Sequence, residues 1–143
     1  MIMVDDKDIR IIDELIRDSR TPFLEISRKM RISEATVRKR VHDMQASGVI
    51  KRFTMDVDPA KIGFATTAVL GIDVKPENFL DVARSLAAMD EVKCLATSSG
   101  DHMIMAEIWS RNGADLSRII SDRVGRLPGV FKVCPAVILE RLK

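Results

Sequence analysis

The sequence predicts an α+β protein in which a helical module precedes a module of strands and helices. Two observations predict this fold class. Apolar residues recur at helical spacing through the first 53 residues, and from residue 65 onward a strand–helix–strand pattern occurs twice. We therefore assign residues 1–53 to a first domain, 54–64 to a strand and hinge linker, and 65–143 to a second domain.

Composition places the chain among folded proteins of ordinary size. It has 143 residues, of which 46% are hydrophobic and 31% charged. No apolar run approaches the roughly 20 residues that span a membrane. The acidic start MIMVDDKDIR lacks the basic region and apolar stretch of a signal peptide. We expect a cytoplasmic protein with no membrane partner.

The first two helices are predicted from spacing and capping residues. Residues 5–18 carry isoleucine and leucine on one face, and aspartates at the start favour the positive end of the helix dipole. A short second helix follows in TPFLEISRKM. Thr21 is its expected N-cap, and Pro22 suits the first helical position.

A third helix is predicted from Glu34 to about Ser47, with Ser33 as its N-cap. Val37, Val41 and Met44 form its buried stripe. This stripe turns the three consecutive cations between the two valines away from the core, namely Arg38, Lys39 and Arg40.

Positive charge is concentrated around this third helix. Residues 28–52 carry eight Lys/Arg against two Asp/Glu, although the net charge of the chain is only +2. Two helices joined by a tight turn, the second of them basic, form the helix-turn-helix pattern of DNA-binding domains. A solvated helix face would also explain the cations. The caps, the turn and the following Lys51–Arg52 favour phosphate binding.

The second domain starts after a predicted strand at residues 53–57 and a turn at Asp58–Pro59. Its predicted strands are ATTAVLGIDV, EVKCLATSS, HMIMAEIW and VFKVCPAVILER. Its predicted helices are PENFLDVARSLAAM and residues 114–127. This β-α-β-β-α-β order is that of the ferredoxin-like fold.

The strand HMIMAEIW is apolar on both faces. Met103, Met105 and Trp109 fall on one face, and Ile104, Ala106 and Ile108 on the other. Two helices cover only one face of such a sheet, which would leave a large apolar patch exposed. We therefore expect an obligate homodimer that pairs through its sheets.

Catalytic and metal-binding patterns are absent from the sequence. The only histidines are His42 and His102, there is no tyrosine, and no phosphate-binding glycine motif occurs. Cys94 and Cys134 lie in apolar surroundings and are expected to be buried and unpaired. We predict a protein that is not an enzyme and has no cofactor or metal site.

Three segments resemble the Lrp/AsnC family of transcriptional regulators. They are DDKDIRIIDELIRDSR, RISEATVRKRVHDMQASGVIKRF and LPGV at 127–130. The resemblance implies a winged or plain helix-turn-helix followed by a ferredoxin-like regulatory domain. It also implies binding of double-stranded DNA by homodimers that assemble into tetramers or octamers, commonly in response to an amino-acid effector.

The resemblance also implies site residues. The family's recognition helix falls on residues 33–47, so Ser33, Thr36, Arg38, Lys39 and Arg40 are the expected DNA contacts. A second interpretation of Arg40 is that it braces the domain.

The family's effector loop falls on Ser99, Gly100, Asp101 and Met103. Met103 stands where a second acidic residue is usual, and an ordinary turn is the other interpretation of this loop. The alternative function is a sensing or assembly protein without specific DNA binding.

Overall fold

The structure is a computed structural model that describes residues 4–142, and it divides the chain into two compact units, Met1–Val57 and Asp58–Lys143. The first unit is helical in its described part. The second contains a four-stranded sheet with helices. The predicted α+β class is confirmed.

The first unit consists of helices α1 (Asp6–Arg17), α2 (Phe23–Met30) and α3 (Glu34–Ala46). Each helix buries one apolar stripe in a shared core. The fully or nearly buried members of that core are Ile11, Leu15, Ile26, Val37, Val41 and Met44. The stripe predicted for the third helix is therefore confirmed.

The start of α2 differs from the prediction. Pro22 rather than Thr21 occupies the N-cap position, and the helix begins at Phe23. The Thr21 hydroxyl instead donates to the carbonyl oxygen of Asp18 at 2.8 Å, so it closes the preceding turn. At the other end, Arg31 adopts a left-handed conformation, φ 55°, and reverses the chain toward α3.

The strand predicted at residues 53–57 is wrong as a description of the single chain. Residues 51–58 run without strand pairing. The alternation of Phe53, Met55 and Val57 suits a strand, but a strand also needs a neighbouring backbone. Because the described part of the first unit has no strand, the helix-turn-helix there is plain rather than winged.

The sheet of the second unit has the order β2-β3-β1-β4 with antiparallel neighbours. This order is the ferredoxin-like one that the sequence predicts. The strands are β1 (Thr66–Val74), β2 (Val92–Thr97), β3 (Ile104–Ser110) and β4 (Val130–Val137). The last strand is shorter than predicted, and Pro135 is tolerated in it because β4 lies at an edge.

Two helical segments cover one face of this sheet. Helix α4 (Phe79–Ala87) follows β1, and helix α5 (Gly113–Arg118) follows β3 and continues as a π-helical segment over Ile119–Val124. Their apolar side chains form one core with the facing strand residues, including Leu70, Ile72, Ile104 and Ile108.

The opposite face of the sheet has no helix over it, and we call it the open face. Strand register aligns one residue from each strand across it, in the row Ala96, Met105, Gly71 and Cys134. A neighbouring row contains Glu107, Val69 and Ala136. The predicted burial of the cysteines is wrong: Cys94 is exposed and Cys134 half-buried, because β2 and β4 are edge strands.

Candidate functional site

The first turn of α3 is held by a hydroxyl cap. The Ser33 side chain accepts a hydrogen bond from the Thr36 backbone N–H at 3.0 Å, and the two hydroxyl oxygens lie 2.7 Å apart. The predicted N-cap is therefore present. Both side chains remain at the surface end of the helix, where short polar groups allow close approach to another molecule.

Arg38 lies on the exposed side of α3 with its guanidinium held in place. Its side chain is 65% exposed, and Nη2 lies 2.7 Å from a carboxylate oxygen of Glu34 one turn earlier. The guanidinium carbon is also 5.4 Å from the ring centre of Phe23 at the start of α2, within cation–π range. The two contacts orient a charged group that still faces solvent.

Lys39 is the most exposed of the three cations, at 76%. Its ammonium lies 2.6 Å from Asp43 one turn later, and this hydrogen bond holds the pKa of the Asp43 carboxyl below its ordinary value. Exposed pairs of this kind contribute little to stability. The ammonium is therefore free to exchange Asp43 for a phosphate at small cost.

Arg40 differs from its two neighbours. Its side chain is 27% exposed, and Nη1 donates to Asp8 at 2.9 Å and Asp5 at 2.8 Å. These aspartates form the capping box at the start of α1. The structure thus shows the bracing contacts of the second interpretation of Arg40, and they link α3 to the beginning of α1.

The sequence reasoning passed over the side chains that hold these cations. Glu34 and Asp43 stand four residues from Arg38 and Lys39, a spacing at which opposite charges meet on a helix, so that signal was available. The pairing of Arg40 with Asp5 and Asp8 spans more than thirty residues and follows from no local spacing.

The predicted effector loop is a tight connection between β2 and β3. Ser99, Gly100 and Asp101 are exposed, and Met103 is half-buried. The loop is closed by the Ser98 N–H, which donates to the Met103 carbonyl oxygen at 2.9 Å. These four residues lie together, in a different unit from the basic helix.

Asp73 of β1 ties this loop to the sheet, which the sequence reasoning missed. One carboxylate oxygen lies 3.1 Å from Nδ1 of His102, and the other accepts the Met103 N–H at 3.3 Å. Burial raises the pKa of Asp73, but these hydrogen bonds lower it by more, so it lies below the ordinary value.

Gly71 makes room for the His102 ring on the open face. A Cβ at this position would lie 2.1 Å from Cδ2 of His102, far inside van der Waals contact. The ring therefore packs directly on the backbone of β1, where only glycine fits. Asp73 and His102 are 29 residues apart, and no motif spacing indicates their contact.

Metal and membrane sites were searched over residues 4–142. In that part of the chain no group of three His, Cys, Asp or Glu side chains is placed to hold a metal ion. The same residues include no helix of sufficient length and apolar character to span a membrane.

Two family models match the chain, one in each unit. The model of the AsnC-type helix-turn-helix domain matches residues 4–45, and the model of the Lrp/AsnC ligand binding domain matches residues 67–143. These ranges contain the two groups of residues described above.

Relatives match over nearly the whole chain. The HTH-type transcriptional regulator LrpA of Pyrococcus horikoshii is 48% identical, and the match covers 99% of this chain and all of that protein. AsnC of E. coli matches with a TM-score of 0.85 and 21% identity, covering 99% of this chain and 96% of that one.

A third similar protein is a transcriptional regulator of Neisseria meningitidis, solved as a complex with L-Met. It matches with a TM-score of 0.88 and 17% identity over 99% of this chain and 93% of that one. Together with both family models and the 48% identity to LrpA, these matches show that the chain belongs to the Lrp/AsnC family of transcriptional regulators.

Proposed function

We propose that the protein contacts DNA through the exposed side of α3, with Ser33, Thr36, Arg38 and Lys39 at the interface. In this proposal Lys39 and Arg38 neutralise phosphates or reach base edges, and the two short hydroxyl residues lie nearest the groove floor. Arg40 is a positioning residue, because its guanidinium is engaged by two aspartates of α1.

The observation that carries this proposal is the contrast within one run of three cations. Arg38 and Lys39 are exposed and paired only with carboxylates of their own helix, whereas Arg40 is turned inward. A merely solvated face gives no reason for the capped, small first turn beside them. A helix that enters the major groove needs both features.

The test is selection of bound fragments from random-sequence DNA, followed by affinity measurements at several salt concentrations. Lys39→Gln should weaken binding to every sequence and reduce the log–log salt slope by about 0.9. Thr36→Val should instead change the preferred sequence. His42→Gln, on the same helix, is the matched control.

Each outcome separates the candidate functions. A near-palindromic motif with half-sites about 34 Å apart, or a multiple of that spacing, supports a dimeric sequence-specific regulator. Salt-dependent binding without a motif would indicate a DNA-coating protein. No binding at low salt would leave the alternative of a sensing or assembly protein, and our assignment of α3 would be wrong.

We also propose a homodimer formed by the open faces of two sheets. The row Ala96, Met105, Gly71 and Cys134 offers small and apolar groups to a second sheet, and sheets pack about 10 Å apart when their side chains interdigitate. Two such dimers associating further would give the tetramers or octamers expected for the family.

For the effector, we propose an amino acid bound at the loop formed by Ser99, Gly100, Asp101 and Met103. The exposed Asp101 carboxylate can pair with an α-ammonium group. The N. meningitidis regulator of the same fold was solved with L-Met, so hydrophobic amino acids are the first compounds to test.

Thermal unfolding in the presence of each amino acid tests this proposal. A ligand at 100 times its dissociation constant adds about 2.7 kcal/mol to the stability of the folded state. Asp101→Asn should abolish the shift, whereas Asp81→Asn, an exposed change on α4, should retain it. If no amino acid changes the unfolding temperature, the loop is an ordinary turn.

A further inference from the structure

Glu34 is the one acidic side chain in the first turn of the basic helix. It is half-exposed, and its carboxylate touches the Arg38 guanidinium at 2.7 Å. A carboxylate at this point is unfavourable for a helix whose only task is to bind phosphate, because it repels the DNA backbone. It requires a reason beyond the few tenths of a kcal/mol that an exposed pair contributes.

Base recognition supplies that reason. The N-terminal residues of a recognition helix contact base edges in the major groove. There, guanine presents two acceptors that an arginine fork binds, and cytosine presents an amino donor that a carboxylate accepts. A touching arginine–carboxylate pair carries the complementary groups side by side, in the arrangement that one G·C base pair presents.

The structure holds the pair ready for this task. Phe23 packs beside the guanidinium of Arg38 from α2, so the fork is oriented before DNA arrives. Glu34 lies at the first helical position, directly after the Ser33 cap. Its carboxylate is therefore carried by the most rigidly defined part of the turn.

We propose that Glu34 determines sequence specificity: together with Arg38 it selects a G·C base pair at one position of each half-site. Arg38 donates to guanine, and Glu34 accepts from the cytosine amino group. A base with an acceptor at the place of that amino group, such as thymine or guanine, would face the carboxylate acceptor to acceptor. This inference rests on the proposed function of α3.

The second charge pair of α3 provides a matched control. Lys39 and Asp43 have the same four-residue spacing and a contact of 2.6 Å, but Asp43 lies beyond the first turn, away from the base-reading end. Asp43→Asn removes one exposed carboxylate, as Glu34→Gln does. Both variants keep an isosteric side chain at an exposed site, and far-UV circular dichroism should show unchanged helix content.

The experiment is selection from random-sequence DNA with the wild type, Glu34→Gln, Arg38→Lys and Asp43→Asn. The wild type should prefer G·C at one half-site position by about tenfold or more, since a good base contact discriminates by that amount. Glu34→Gln should reduce this preference to below about threefold, because an amide both donates and accepts.

The remaining variants make the result specific. Arg38→Lys keeps the charge but loses the fork, so it should weaken the preference at the same position and leave the salt slope unchanged. Asp43→Asn should raise affinity for all sequences and leave the motif as it is. A Glu34→Gln motif identical to that of the wild type would overturn the inference while the proposed function stands. A wild type that enriches no motif would overturn both.

Discussion

Arg40 illustrates how one cation of a basic run can serve the fold instead of a ligand. Its guanidinium binds the two aspartates that cap α1, and Asp8 is itself a buried residue. These hydrogen bonds raise the pKa of Arg40, with Asp8 the largest cause, and lower that of Asp5, chiefly through its bond to the Asp8 backbone and also through Arg40. Removing the guanidinium would leave carboxylates crowded together without a partner.

We predict that Arg40→Met destabilises the first unit. The loss of hydrogen bonds to charged groups should lower its thermal midpoint by about 5 °C, given the size of the unit. Thermal unfolding followed by circular dichroism measures the shift. Lys39→Met, which removes an exposed cation from the same helix, is the control and should leave the midpoint nearly unchanged. Equal effects of the two changes would contradict the bracing role.

Asp73 gives the second unit a predictable response to acid. Its pKa is depressed in the folded state, so its carboxylate stabilises the fold above the pKa of the unfolded chain. That contribution is lost as the pH falls through the folded pKa, in the region below about pH 4. His102→Gln removes the ring contact, which should raise the pKa of Asp73 and start acid unfolding at a higher pH.

Acid titration monitored by tryptophan fluorescence measures this, because Trp109 lies in the same sheet. His42→Gln removes the other histidine, which is exposed on α3, and should leave the curve unchanged. Superimposable curves for His102→Gln and the wild type would show that the ring does not stabilise the ionised carboxylate.

At the scale of elements, α3 depends on its first turn. Ser33 satisfies the Thr36 N–H, which no backbone carbonyl can reach in the regular helical pattern. We predict that Ser33→Ala lowers the free energy of unfolding by about 1 kcal/mol, and that Ser33→Asp restores most of it. Chemical denaturation measures both values.

Ser47 offers the comparison at the other end of α3. Its hydroxyl donates to the Met44 carbonyl oxygen at 3.1 Å, a bond that water can replace, so Ser47→Ala should change stability by less than about 0.5 kcal/mol. A Ser33→Ala value no larger than the Ser47→Ala value would mean that the hydroxyl cap does not stabilise the helix.

The elements show which features a single sequence can predict. Helix α3 follows from Ser33 and the spacing of Val37 and Val41, because capping and periodicity are local. Residues 53–57 have the alternation of a strand and form none, because pairing depends on a second backbone that local pattern does not specify. The start of α2 was misplaced for a similar reason: Thr21 has the right chemistry for a cap and bonds backward instead.

The candidate site divides in the same way. The exposure of Arg38 and Lys39 follows from the position of the buried stripe. The inward turn of Arg40 and the contact of Asp73 with His102 depend on which elements become neighbours. Sequence reasoning therefore identified the helix and the loop, while tertiary contacts decide which of their side chains are available to a ligand.

At the scale of the whole molecule, the open face decides the assembly. One face of β3 is completely buried beneath the helices through Ile104, Ala106 and Ile108. Its other face carries Met105 and Trp109, which the single chain only half buries. A sheet with apolar groups on both faces and helices on one gains free energy when a second copy covers the other.

We predict that Met105→Glu converts the dimer into a folded monomer. Met105 lies in the middle row of the open face, between Ala96 and Gly71, so a carboxylate there would be buried without a partner on association. Sedimentation equilibrium gives the mass, and circular dichroism confirms the fold. Leu80→Glu, at an exposed position of α4, should remain dimeric. A folded Met105→Glu variant with the mass of the wild type would exclude the open face as the interface.

The same variant connects assembly to recognition. A dimer binds two half-sites as one ligand, so its affinity for the full site exceeds that of either half through effective concentration. Met105→Glu should therefore bind a full palindrome at least about 100-fold more weakly than the wild type, within the range of such avidity gains, and lose the dependence on half-site spacing. It should bind an isolated half-site as well as before, because α3 is untouched. Retention of spacing dependence in a proven monomer would show that some other contact pairs the recognition helices on DNA.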